Sequence, residues 1–218
     1  MRRIAISDIH ACAQTFRRLV EDQVRLQPGD TLYLLGDYVN RGPDYRAVFD
    51  FIWELKAHGV KVSCLRGNHE DRFLEAVDRG LLQAEPQYVN FIRTLPSYLG
   101  IEGYLLVHAG FNFAVRDPLS DTYAMRWIRG WEGGLRPQWL GDRQIVHGHV
   151  RKERWIIQQA VADRAPILGI DNGCFALLEP GQGSLCALDL DSRQLYFQPN
   201  LDMNPQEEPV SLFDKLFL

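Results

Sequence analysis

Five short stretches of the sequence carry side chains able to hold a cation or move a proton. They are SDIHAC with Asp8 and His10, GDYVNRG with Asp37, Asn40 and Arg41, LRGNHE with Arg66, Asn68 and His69, VHAG with His108, and HGHV with His149. Carboxylates, imidazoles and one amide oxygen form a donor set suited to borderline divalent metals. Asp8 and Asp37 would repel each other in one cleft without a cation between them. The four cysteines, Cys12, Cys64, Cys174 and Cys186, are scattered without CxxC spacing, so a structural zinc site is disfavoured. Asp8, His10, Asp37, Asn68, His108 and His149 are too many ligands for a single open catalytic ion. Two ions sharing one carboxylate fit better, and such a pair clamps the attacking and leaving oxygens of a displacement at phosphorus. Arg41 and Arg66 flank these stretches, and Arg126 and Arg129 lie further on. Guanidinium groups match phosphate oxygens two at a time.

Taken singly, each residue has an ordinary reading. An aspartate after a strand caps helices or forms turns, and His147, alternating on its strand, reads as structural. The common placement is what carries weight. Residues 3–7, 31–35 and 60–65 read as short strands, and helical periodicity covers residues 12–26, the stretch after Pro43 up to Gly59, and residues 70–79. This β-α-β-α-β order predicts parallel strands. Residues 104–107, 144–147 and 167–170 read as further strands, and residues 184–190 and 194–198 as a closing hairpin, with loops over 81–98 and 112–143. Every candidate ligand then follows the carboxyl end of a strand, the edge where α/β sheets bind ligands. Five of the six histidines fall there; His58 does not.

The 218 residues are 46% hydrophobic and 24% charged with a net charge of -4, an ordinary globular balance that offers no basic face for nucleic acid. Only three apolar residues follow Met1-Arg2-Arg3, too few for a secretory h-region, and no apolar run reaches membrane-spanning length. The expectation is a cytoplasmic protein with reduced, packed thiols, without nucleic-acid or membrane partners. It is read as one catalytic domain over residues 1–198, with a tail over 199–218 whose apolar Leu212, Phe213, Leu216 and Phe217 dock back on it. The aromatics Phe113, Tyr123, Trp127, Trp131 and Trp139 read as packing rather than as a substrate wall. Oligomeric state is not legible.

In order and wording the five stretches resemble the metallophosphoesterase (calcineurin-like) superfamily, and LRGNHE is similar to the phosphoprotein phosphatase family in its small bacterial and phage members; IDNGC at 170–174 extends the likeness. The resemblance implies an α/β fold, a four-layer α-β-β-α sandwich of two mixed sheets with a dinuclear metal site at the strand ends. It implies that Asp8, His10 and Asp37 hold one ion, that Asp37 bridges, and that Asn68, His108 and His149 hold the second. The two divalent ions are expected to be Mn²⁺, with Fe or Zn²⁺ as alternatives. Arg41, Arg66 and Arg129, in preference to Arg126, would bind phosphate, and His69 would be the general acid after direct attack by a metal-bridging hydroxide.

Ser7 and Ala11 replace glycines of the family's first motif, and Arg151 stands where wider superfamily members carry a further histidine. Asn40 replaces an aspartate that in protein phosphatases pairs with the general-acid histidine; an amide orients His69 but adds no charge. The leading expectation is a serine/threonine, and also tyrosine, protein phosphatase acting on a phosphorylated protein or small phosphoester and releasing inorganic phosphate. The alternative is a symmetrical diadenosine tetraphosphate hydrolase, a group that also lacks the aspartate but typically reads GNHD and is longer. A phosphoprotein-binding module without turnover is the third reading.

Overall fold

The computed structural model describes residues 1–206. Its first sheet grows from β1 (Arg3–Ile6), β2 (Thr31–Leu34) and β3 (Lys61–Cys64), which pair in parallel, Ile4 opposite Leu32 and Leu32 opposite Val62. The hairpin of β8 (Ser184–Asp189) and β9 (Leu195–Pro199) completes it in the order β3-β2-β1-β8-β9, with β8 antiparallel to β1. The second sheet has the order β4-β5-β6-β7, formed by Tyr98–Ile101, Tyr104–Val107, Gln144–His147 and Ile167–Gly169; only its β4–β5 pair is antiparallel.

Alternation along the strands sorts side chains into three cores. Ile4, Ile6, Leu32, Leu34, Leu185 and Ala187 face the helices α1 (Ala13–Arg18), α2 (Tyr45–Ala57), α3 (Asn68–Asp78) and α4 (Pro86–Arg93). Their neighbours Ala5, Cys186 and Leu188 face the other way and meet Leu106, Val146 and Leu168 of the second sheet. Leu105, Val107 and Ile145 point outward again, under Phe111, Met125, Trp131 and Leu140 of the 111–140 segment and its short helices α5 (Ala124–Trp127) and α6 (Pro137–Leu140). The result is the α-β-β-α sandwich that the resemblance implied, with two mixed sheets face to face.

Several elements differ from the sequence expectation. The Asp44 side chain, not Pro43, caps α2 by accepting from Ala47 N at 3.1 Å. Helix α3 begins at Asn68, so Asn68 and His69 occupy its first turn. Residues 81–98 are not all loop. Pro86 at the first turn starts α4, whose buried Tyr88, Val89 and Ile92 pack on the first core. The sequence reading also gave no strand at β4 and no helix at α7 (Arg154–Ala162). After β9 the chain is tied down. The Asp202 carboxylate accepts from Gln14 N, Thr15 N and Thr15 Oγ1 at 2.6–2.9 Å, satisfying the open N-terminus of α1. The apolar residues Leu212, Phe213, Leu216 and Phe217 lie outside the described residues. All four cysteines are buried free thiols, and among the described residues no helix is long and apolar enough to cross a membrane.

Candidate metal centre and active site

The loops that follow β1 and β2 are zipped together. Ile9 N and His10 N both donate to Asp37 O, at 3.1 and 2.8 Å, Ala11 N donates to Tyr38 O, and Gly42 N returns to His10 O. The loops carry unusual backbone. His10, Ala11, Asp37, Asn40 and Arg41 all have φ between 50° and 77°, and His149 has φ 63°. Non-glycine residues in this region cost roughly 1–2 kcal/mol each and persist only where the surroundings over-determine them.

Glu70 supplies much of that determination. Its carboxylate, fully buried, accepts from Asp37 N and Tyr38 N at 2.8 Å, from Gly67 N at 2.9 Å and from Val39 N at 3.3 Å. It thereby locks the second and third ligand loops to one point. Burial pushes the Glu70 pKa up, and the four N–H donors oppose that shift. The sequence reading assigned Glu70 no role, although an acid three residues into a helix after a glycine cap is a readable signal.

Asp37 is the hub. It belongs to two groups of convergent ligand atoms, His10–Asp37–His69 and Asp37–His108–His149, in each of which the atoms lie within 4.8 Å of one another. His10 Nε2 is 3.7 Å from Asp37 Oδ2, and His108 Nε2 is 3.5 Å from Oδ1. His108 Nδ1 lies 2.9 Å from Leu35 O, which fixes a proton there and turns Nε2 toward Asp37 and Asn68 Oδ1, 3.0 Å away. Asp8 receives His149 N at 3.0 Å. Glycines make the close approach feasible. A Cβ on Gly67 would overlap the Asp37 carboxylate, and one on Gly148 would overlap that of Asp8.

The donor chemistry fits divalent cations. Asp8 and Asp37 are each pushed well above the usual carboxylate range, first by burial, then by neighbouring acids, Asp171 for Asp8 and Glu70 for Asp37. Burial drives His10 down to about 3 and His149 to about 4, and His108 well below its ordinary value. Neutral imidazoles are the ligand form, and clustered buried acids call for a cation. His149 Nε2 is buried without a hydrogen-bond partner among the described residues. All six sequence-designated ligands, Asp8, His10, Asp37, Asn68, His108 and His149, are 8% exposed or less.

His69 stands at the edge of this cradle, its Nε2 3.8 Å from Asp37 Oδ2 and its Nδ1 3.1 Å from Asn40 Nδ2. Burial, then His10 and Arg41, lowers its pKa. The Arg41 guanidinium lies 5.3 Å from the Phe175 ring centre, and Phe175 meets His10 edge-on at 4.7 Å. Arg66 Nε is 2.7 Å from Asp71 Oδ1. Arg126 is committed elsewhere, to Asp71, Ser97 and the Thr122 carbonyl. Arg129 is exposed and near enough to depress the His149 pKa, second to burial. His147 is buried against Trp131, with Nδ1 2.9 Å from Gly148 O.

Two further acids went unassigned by the sequence reading. Asp71 joins Arg66, Arg126 and the Trp127 indole N–H. Asp171, buried, is pushed up to about 6 by that burial. Asp171 lies in the IDNGC stretch, so its motif was visible even though its proximity to Asp8 was not. Of the loop aromatics, Phe113, Trp131 and Trp139 pack together on the outer core, whereas Tyr123 and Trp127 stack apart from it.

Comparison with known proteins agrees with this geometry. A Buchnera aphidicola protein named bis(5'-nucleosyl)-tetraphosphatase, symmetrical, is 38% identical over 135 residues, covering 62% of this chain and 44% of its own. A protein of the same name from Chromobacterium violaceum is 32% identical over 120 residues, covering 49% and 42%. The chain thus spans less than half the length of these curated relatives, and neither bears the protein-phosphatase name that the sequence reading placed first. The crystal structure of a protein described as a candidate diadenosine tetraphosphatase superposes with a TM-score of 0.70 at 22% identity, covering 93% of this chain and 95% of the other. At that identity the likeness concerns the fold. The calcineurin-like phosphoesterase family matches residues 1–172, and the chain belongs to that family of metal-dependent phosphoester hydrolases.

Proposed function

We propose that the chain hydrolyses a phosphoanhydride bond joining two nucleotides, with a symmetrical dinucleoside tetraphosphate as substrate and nucleoside diphosphates as products. The observation that carries this reading is the contact between Asn40 and His69. Asn40 Nδ2 donates to His69 Nδ1 at 3.1 Å, so the neutral ring keeps its proton on Nε2, the nitrogen facing Asp37. An amide partner contributes no charge, so it does not stabilise the imidazolium at Nδ1 as a carboxylate in its place would. Seryl or threonyl alkoxide is a poor leaving group that needs a strong proton donor. A nucleoside diphosphate departs with its charge spread over phosphate oxygens and needs little help.

In this reading Arg41, Arg66 and Arg129 bind the phosphate oxygens and align the chain of phosphates. Asp8, His10, Asp37, Asn68, His108 and His149 would hold the divalent cations. Those cations, when bound, polarise the phosphoryl group and make a water acidic. Water adds to the attacked phosphorus, the bridging P–O bond breaks, and the Nε2–H of His69 is placed to donate a hydrogen bond to the departing oxygen. The names of the relatives support the choice of substrate. The glutamate of GNHE does not oppose it: Glu70 is fully buried on backbone N–H groups and is a loop clamp rather than a substrate contact.

The test is incubation with Mn²⁺ and either diadenosine tetraphosphate or a phosphoserine peptide. Release of ADP from the first at a far higher kcat/KM is expected. Phosphate release from the peptide with an intact dinucleotide would restore the protein-phosphatase reading.

A further inference from the structure

One aromatic pair beside the cradle is arranged unlike the rest. Tyr123 is 66% exposed, and its ring lies parallel to that of Trp127, with centres 5.8 Å apart and planes 12° from each other. Trp127 is fixed. Its indole N–H donates to Asp71 at 2.9 Å, and the Arg72 guanidinium lies 5.4 Å from its ring centre. Asp71 in turn holds Arg66, at 2.7 Å. A short chain of contacts thus runs from a phosphate-site arginine through Asp71 and Trp127 to an open tyrosine face. The turn leading into the pair is pinned as well, since the Asp121 carboxylate accepts from both Asn112 Nδ2 and Ala124 N at 2.9 Å.

Phe175, another aromatic bordering the cradle, is already engaged by charged and aromatic neighbours. Its ring is met edge-on by His10 and covered by the guanidinium groups of Arg41 and Arg151, at 5.3 and 5.4 Å. The exposed Trp155 donates its indole N–H to Glu153 at 2.9 Å. An exposed aromatic ring held rigidly next to a phosphate site is a platform for a nucleobase, which every base can use because every base has a π-face.

We propose that Tyr123, backed by Trp127, stacks a base of the nucleotide substrate and so makes the site prefer nucleotides to simple phosphoesters without selecting among bases. This rests on the nucleotide reading given above. The platform acts on binding and not on the bond-breaking step.

The experiment uses the full-length, Mn²⁺-loaded protein and two substrates, diadenosine tetraphosphate and base-free p-nitrophenyl phosphate, together with direct titration of ADP. Tyr123→Ala should raise KM for the dinucleotide about tenfold or more, and weaken ADP binding alike, with kcat nearly constant. Its kinetics on p-nitrophenyl phosphate should match the unaltered protein, and Tyr123→Phe, which keeps the ring, should behave as the unaltered protein on both. An unchanged dinucleotide KM in Tyr123→Ala, or an equal loss on both substrates, overturns the platform while leaving the nucleotide reading intact. If the unaltered protein cleaves p-nitrophenyl phosphate but not the dinucleotide, the nucleotide reading itself fails and the platform falls with it.

Discussion

Asn40 Nδ2 meets His69 Nδ1 at 3.1 Å, an amide standing where a carboxylate would have formed an ion pair with the imidazole. The substitution Asn40→Asp restores that charge at nearly constant volume. A carboxylate stabilises the imidazolium, so the histidine keeps its proton to higher pH. On phenyl phosphate, whose leaving group requires protonation, the alkaline limb of the pH–rate profile should move upward by roughly one unit. On diadenosine tetraphosphate the limb should stay where it is. A profile on phenyl phosphate that does not shift would remove His69 from the role of proton donor.

Glu70 offers a second test, because two ligand loops depend on one buried carboxylate. Replacing it by glutamine puts an NH₂ group against backbone N–H donors that now point at oxygen. Leaving a buried donor unpaired costs about 1–3 kcal/mol, and losing charge assistance adds to it. The melting temperature should fall by roughly 5–10 °C. Metal affinity should fall with it, because Asp37 loses the hydrogen bond that holds its backbone at φ 54°. Thermal denaturation unchanged in Glu70→Gln would mean that the zipped loops hold their shape alone.

What the sequence made legible follows from which residues act locally. The placement of Asp8, His10, Asp37, Asn68, His108 and His149 at one edge was readable because each follows a short apolar strand, and parallel strands bring their carboxyl ends together. The two-sheet architecture came through the motif resemblance, since periodicity alone did not divide the expected strands between two sheets. Strand β4 escaped because Gly100 interrupts it and its side chains stay half exposed. Helix α4 escaped because eight residues give barely two turns of pattern. Glu70, Asp71 and Asp171 act through partners that the fold brings close, among them Tyr38, Arg126 and Asp8, and no spacing rule reports those. The proposal reverses the order in which the sequence ranked the two substrate classes, for a related reason. The glutamate of GNHE reads as a family marker in the sequence, yet its carboxylate faces the scaffold.

The glycines at 67 and 148 predict a loss of function caused by a single methyl group. At either position a Cβ would occupy space held by a ligand carboxylate, Asp37 for Gly67 and Asp8 for Gly148. The carboxylate must then swing out of line, and misplacing a reacting group by about 1 Å can cost about a hundredfold in rate. Gly67→Ala and Gly148→Ala should each lower kcat/KM by about that factor. Gly133→Ala, where a Cβ would meet nothing within 4 Å, should leave it unchanged. Equal activity in all three variants would show that the carboxylates need not stay where the structure puts them.

The sharing of Asp37 between two ligand groups makes a prediction about metal count that activity is not needed to read. Metal analysis after chelation and reloading with Mn²⁺ should find two ions per chain. His10→Ala removes a donor from one group only, and His149→Ala from the other, so each should retain one tightly held ion. Asp37→Ala removes the common oxygen donors and should lose both. Saturating metal should also raise the melting temperature of the unaltered protein, by an amount set by RT ln(1 + [M]/Kd) for each ion, about 2.7 kcal/mol when the metal exceeds Kd a hundredfold. That rise should be roughly halved in the single-site variants and absent in Asp37→Ala. An Asp37→Ala protein still binding two ions would mean the two groups do not share a bridging carboxylate, and the dinuclear arrangement would have to be rebuilt around Asp8 and Asp171.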